Sequence, residues 1–133
     1  MKKIFTSSLL ILLFIFISIQ SSEENVNQTQ ASFEKLKRDV INCESGGRHI
    51  IWGDCDKKMP RPHYCLTFSC AKKYHCKAYG ICQFWKKTFD NFNSDFGSPE
   101  WKRESRDNQL ALFDLALRRG KGHNWTCYRN LFN

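Results

Sequence analysis

One glutamate is placed for acid chemistry. Glu44 lies in Cys43 to Gly47, CESGG, directly after a run of helical spacing. In SFEKLKRDVINCE the apolar residues Phe33, Leu36, Val40 and Ile41 recur at helical intervals, and Glu44 follows Val40 by four positions and Ile41 by three. Its side chain therefore projects from the apolar face. Partial desolvation there and the negative end of the helix dipole both raise a carboxyl pKa. A carboxyl that keeps its proton near neutral pH can pass it to a leaving oxygen, as glycoside cleavage requires. The plainer alternative is a helix-end glutamate that is solvated or paired with Arg48. Glycoside cleavage normally uses a second carboxylate, and none stands at a recognisable spacing: Asp54 and Asp56 fall in the next loop, and Asp90 and Asp95 flank a second helical run.

The elements that must position Glu44 can be read along the chain. With 133 residues there is room for one compact domain. MKKIFTSSLLILLFIFISIQSS has two lysines, an apolar run and a polar end, the layout of a secretory signal peptide over 1–22. If uncleaved it would be a short membrane anchor, the chain's one expected link to a membrane. Residues 23–31 read as a polar linker, and 32–133 as the domain. Ser32 is placed to cap the first helix, and Gly46 and Gly47 to end it.

A cysteine-rich segment over 48–77 follows, with turn chemistry at MPRP and Gly53-Asp54. A second helix is expected from about Gln83, with Phe84, Trp85, Thr88, Phe89 and Phe92 on one face and Gly97 at its end. Ser98-Pro99-Glu100 reads as the start of a short helix through Trp101. The last helix, SRDNQLALFDLALRRG, places Leu110, Phe113, Ala116 and Leu117 on its buried side, with Gly120 as its stop. The class is mainly α. No strand is demanded, and a small hairpin between Ile50 and Tyr79 is compatible with the pattern.

Without Lys2 and Lys3 the 21 basic residues fall to 19, which leaves +6 against 13 acids, all beyond Ser22. That balance favours anionic polymers in general without choosing among wall glycan, acidic lipid and nucleic acid. Seven cysteines, all after the leader, suit an oxidising compartment and a disulfide framework, and an odd number leaves at least one thiol outside an internal pair.

Three stretches, read in order, carry a resemblance: CESGG, AYGICQFWKKTF at 78–89, and SRDNQLALFDLAL followed by GKGHNWTC. Together they resemble the transglycosylase-like domain of bacterial resuscitation-promoting factors and, more broadly, the lytic transglycosylase and goose-type lysozyme superfamily. The resemblance spans Phe33 to Cys127 apart from the cysteine-rich insert, and it implies an α+β lysozyme-like fold. It places the catalytic acid on Glu44 and the following serine on Ser45. The Y-G-x-x-Q-F pattern that lines the glycan cleft falls on Tyr79, Gly80, Gln83 and Phe84. The next threonine falls on Thr88, and Gln109 supports the site from behind. In such enzymes one glutamate serves as acid and then base, and the muramoyl sugar's own hydroxyl can attack to give a 1,6-anhydro product. Hydrolysis by water stays open beside it.

The resemblance also implies a disulfide between Cys43 and Cys127, and it puts Cys82 where an apolar residue is usual, as a buried thiol. Cys55, Cys65, Cys70 and Cys76 then remain, with three possible connectivities. A metal site using some of them with His63 or His75 is the rival, but C-x4-C-x5-C does not match a zinc knuckle and export favours bridges, so no metal and no cofactor is expected. The insert exceeds the corresponding loop of the family. Its Trp52, Tyr64, Phe68, Lys72, Lys73 and Tyr74 either meet glycan or form the insert's own small core and rim.

The expected function is therefore a secreted, monomeric enzyme that cleaves peptidoglycan glycan strands at the β-1,4 bond between N-acetylmuramic acid and N-acetylglucosamine. Two alternatives come from other classes: a catalytically silent wall-glycan-binding module, and a cationic disulfide-rich protein that disrupts membranes. Nucleic-acid binding is not expected, because no nucleic-acid fold motif is present.

Overall fold

The computed structural model describes residues 26–56, 58–59 and 64–132. The expected leader, residues 23–25 of the linker, most of the MPRP turn and His63 lie outside these. Two compact units divide the chain, 1–36 and 37–133.

Residues 26–45 are helical and form α1. Helix thus replaces linker over 26–31, and Ser32 lies inside α1 rather than at its cap. The Ser32 hydroxyl donates one turn back to the Gln28 carbonyl at 2.9 Å, and Gln30 Nε2 donates to Glu34 at 3.1 Å. Such i,i+4 contacts support a polar helix that has no apolar stripe to reveal it. α1 stops where expected, with Gly46 and Gly47 at φ +61° and +73°, a conformation open to glycine at little cost.

The second unit sets a three-stranded antiparallel sheet among helices. Its strands are β1 (Trp52–Gly53), β2 (Ala78–Tyr79) and β3 (Phe84–Trp85), in the order β1-β2-β3. Trp52 pairs with Tyr79 and Gly53 with Ala78, while Ala78 pairs with Trp85 and Tyr79 with Phe84. Between β1 and β2 lies α2 (Phe68–Lys73), capped by Thr67, whose hydroxyl accepts the Cys70 N–H. The helix expected from Gln83 starts later, as α3 (Lys86–Phe96), because Phe84 and Trp85 are extended and belong to the sheet.

The short helix expected at Ser98 to Trp101 does not form. That segment is a turn held by Trp101 N–H to the Ser98 carbonyl at 2.9 Å and by the Asn93 side chain, which accepts from Ser98 N–H at 3.0 Å. α4 (Arg106–Arg118) forms with Ser105 as its cap, its hydroxyl accepting from Asn108 N–H. Its buried face carries Gln109, Leu112, Phe113, Ala116 and Leu117, with Leu110 only half-buried. α4 is not the last helix. A 3-10 turn over Gly122–Asn124 and α5 (Thr126–Leu131) follow it.

The core of this unit draws Val40 and Ile41 from α1, Phe84 from β3, Phe89 and Phe92 from α3, and the α4 face. Trp125, 4% exposed, sits among them, with its ring centroid 4.6 Å from Phe113 and 5.2 Å from Phe84. Its Nε1–H donates to the Cys82 carbonyl at 2.7 Å, so the indole is buried with its polar atom satisfied. The fold is mainly helical with a small sheet and carries three disulfides.

Candidate functional site

A cavity of about 850 Å³ opens beside the end of α1, within the size range of small-molecule and glycan clefts. Glu44 and Ser45 reach it from α1, Gly53 and Asp54 from β1 and its turn, and Ala78, Gln83, Phe84 and Trp85 from β2, β3 and the connection between them. Thr88 of α3, Arg48 and Tyr64 of the insert, and Asn124 to Thr126 with Arg129 close the remaining sides. Gly53, Ala78 and Trp85 form one cross-sheet row by register, ending in an indole that is 45% exposed, and the Gln83 amide packs over Gly53.

Glu44 is only partly exposed, and its Oε1 accepts the Cys127 N–H at 2.9 Å. The Cys43–Cys127 disulfide, with Cα atoms 5.9 Å apart, brings the first turn of α5 to the carboxyl. Burial pushes the Glu44 pKa up. The Cys127 amide, the Arg129 charge and the Thr126 amide oppose this without cancelling it, so the pKa lies above the ordinary glutamate value. No ion pair joins Glu44 to Arg48 among the described residues; Arg48 Nε donates instead to the Ser45 carbonyl at 3.1 Å. Glu44 is thus a carboxyl held in register from two directions, with its pKa raised by burial, and open to the cleft.

The residues proposed by resemblance separate into two groups. Glu44, Ser45, Gln83, Phe84 and Thr88 meet at the cavity. Ser45 is 3% exposed and its hydroxyl lies 2.7 Å from the Ile81 carbonyl and 3.1 Å from that of Ile41, which ties α1 to the β2–β3 connection. Phe84, 1% exposed, forms wall rather than surface. Gln83 adopts φ +50°, an uncommon backbone state for a residue with a side chain, and its Nε2 donates to the Gly80 carbonyl at 2.7 Å.

Tyr79, Gly80 and Gln109 are not brought to the cavity. Strand alternation sends Tyr79 away from Ala78, and its ring stacks 4.4 Å from that of Trp52. Gln109 is fully buried; its Oε1 accepts the Cys82 N–H at 3.1 Å and its Nε2 donates to the Arg103 carbonyl. Gly80, at φ +83°, packs so closely on the Gln109 amide that a Cβ there would collide with it. These two residues brace the connection that carries Gln83.

The insert closes through Cys55–Cys76 and Cys65–Cys70, and Cys82 stays a buried free thiol whose pKa burial drives far upward. The sulfurs of Cys55, Cys65 and Cys76 lie within 4.8 Å of one another, the one such group among the described residues, and all three are engaged in disulfides. Met59, Cys65 and Ala71 are buried there, with Trp52 and Tyr74 packed against them, so those two aromatics form the insert's own core. Tyr64 faces the cleft under Arg48, while Phe68 is 68% exposed.

Asp54, Trp85 and Arg129 also line the cleft, though sequence reasoning gave them no site role. The alternation Gly53, Ala78, Trp85 was a usable signal for Trp85 once the strands were known. Asp54 reaches the cavity from a turn at φ +49°, which no spacing reveals. No family model matches this chain, and no curated protein or solved structure matches it either.

Proposed function

We propose that this chain is a secreted glycosidase that cleaves the β-1,4 bond between N-acetylmuramic acid and N-acetylglucosamine in peptidoglycan, on a lysozyme-like arrangement of helices beside a small sheet. The observation that carries the reading is Glu44: a partly buried carboxyl with a raised pKa, open to a cavity of about 850 Å³ and fixed by a disulfide and an amide hydrogen bond. As general acid, Glu44 gives its proton to the bridging oxygen, and the bond from that oxygen to C1 of the muramoyl sugar breaks. The carboxylate then takes a proton from the attacking hydroxyl as the new bond to C1 forms. If that hydroxyl is the sugar's own at C6, the product is anhydro-muramoyl glycan and Glu44 alone suffices. If it is water, the product is a reducing end, and Asp54 is the other carboxylate lining the cleft.

Trp85 offers an aromatic face to a sugar ring, with Lys77 Nζ 5.1 Å from its centroid. The disulfides suit an oxidising compartment. Among the described residues no helix is long and apolar enough to cross a membrane.

One observation favours a second reading. Because the Glu44 carboxyl accepts an N–H of α5, it also has a structural role that needs no turnover. A wall-glycan-binding module would keep that contact and release nothing. Incubation of the oxidised protein with purified peptidoglycan, followed by mass spectrometry of soluble muropeptides, separates these readings. Anhydro ends indicate transglycosylation and reducing ends hydrolysis, whereas co-sedimentation with the wall and no release favours the module.

A further inference from the structure

Two guanidinium groups line the cleft, and the charge of one of them, Arg129, also acts on Glu44. Arg48 lies 4.8 Å from the Tyr64 ring centroid, its Nε donating to the Ser45 carbonyl at 3.1 Å and one Nη to the Tyr64 hydroxyl at 3.5 Å. Arg129 donates one Nη to the His123 carbonyl at 2.7 Å and the other to the Thr126 hydroxyl at 2.8 Å. Backbone oxygens and hydroxyls thus orient both planes without a salt bridge, although the Arg129 charge also acts on the Glu44 carboxyl. Neither arginine has a carboxylate within ion-pair distance among the described residues. Both line the cavity that Glu44 lines.

A polymer of N-acetylglucosamine presents hydroxyls and acetamides, and nothing in it calls for two pre-oriented cations. A guanidinium fork matches a carboxylate. Resting on the peptidoglycan reading of this cleft, we infer that Arg48 and Arg129 recognise the free carboxylate of the lactyl ether on muramic acid. In strands that carry stem peptides that carboxyl is tied up as a neutral amide. It is released only by hydrolysis of the amide, so the preferred substrate is a strand already stripped of peptide, and an amide-hydrolysing reaction must precede this one. Stem peptides carry carboxylates of their own, and the same chemistry aimed at those would reverse the preference.

The test measures binding by the oxidised Glu44→Gln protein, so that turnover does not intervene. Its ligands are two soluble glycan preparations from one wall, one bearing peptides and one stripped by an amidase. Stripped strands bind about tenfold more tightly, as expected for a charge-assisted contact that one ligand makes and the other cannot. Adding Arg48→Gln and Arg129→Gln together abolishes the preference, with thermal melting used to confirm that the variants fold. Lys72→Gln with Lys73→Gln, on α2 and outside the cavity, preserves it. Equal or tighter binding of peptide-bearing strands overturns the inference, as does a preference that survives the double arginine variant. Loss of preference in the lysine pair overturns it too, because net charge would then be the cause. If the wild type cleaves no wall and the arginine-dependent preference persists, the carboxylate site stands and the enzymatic reading falls.

Discussion

Trp125 and Cys65 each sit in a buried cluster of the same unit, but the clusters are held together differently. Around Trp125 the contacts are aromatic and large, with Phe84, Phe92 and Phe113 all within 6.2 Å between centroids. Around Cys65 the buried residues among those described are Met59 and Ala71, with Trp52 and Tyr74 partly buried against them, and two disulfides do the joining. Burial of three or four large rings supplies several kilocalories per mole at about 25 cal/mol per Å², whereas so small a cluster supplies little. The body therefore holds itself, and the insert has to be stapled. Cys43–Cys127 differs from the insert's bridges, since it spans 84 residues and sits beside Glu44.

Replacing both Cys43 and Cys127 by Ser sharpens this contrast most. The entropy model gives a loss of about 4 to 5 kcal/mol for so long a loop, against about 2 kcal/mol for the five-residue separation of Cys65 and Cys70. Chemical denaturation of the two serine pairs measures the gap, and equal losses would refute the distinction. The first pair also frees the α5 amide from Glu44, so the proposed function predicts wall cleavage that falls in the first pair and persists in the second. Next in size is Trp125→Ala, expected to cost about 3 to 5 kcal/mol by cavity formation in the body. A loss below about 1 kcal/mol, read from the same denaturation curves, would mean that the indole is not central.

A smaller effect concerns pH. Asp114 of α4 accepts from Lys37 Nζ at 2.9 Å and from Arg118 Nε at 2.7 Å. Burial alone would raise its pKa, but the hydrogen bonds and charges of these two cations hold it below the usual aspartate value. An acid whose pKa folding lowers stabilises the fold above its unfolded value, and that contribution is lost as pH falls through the folded one. Asp114→Asn therefore flattens the acid limb of a melting-temperature profile and leaves its shape near neutrality unchanged. An unaltered acid limb would show that the pair with α1 adds nothing.

Helical periodicity made Glu44 legible, because Val40 and Ile41 fix the face that residue 44 shares. Gly120 marks the end of α4 through stop chemistry that is local in the chain. Strands of two residues carry no readable period, so the pattern puts Trp85 on a helical face whereas the structure puts it in β3. α5 was missed because TCYRNL owes its place to the buried Trp125 before it and to the Cys127 staple, both of them distant contacts. Asp54, Arg48 and Arg129 converge on the cleft from a turn, a loop and a short helix, a convergence that exists only in three dimensions.

The central claim is that Glu44 supplies the proton. Folding raises its pKa, so its ionisation opposes folding as pH climbs from the unfolded value through the folded one. Glu44→Gln should consequently melt no lower than the wild type at neutral pH, with the amide oxygen still able to accept the Cys127 N–H. The decisive measurement is release of soluble glycan from purified peptidoglycan by the two proteins, side by side, across a pH series. The account predicts wild-type release that declines as pH rises through the Glu44 folded value, and none above background from a fully folded Glu44→Gln. Release by that variant at the wild-type rate would contradict it.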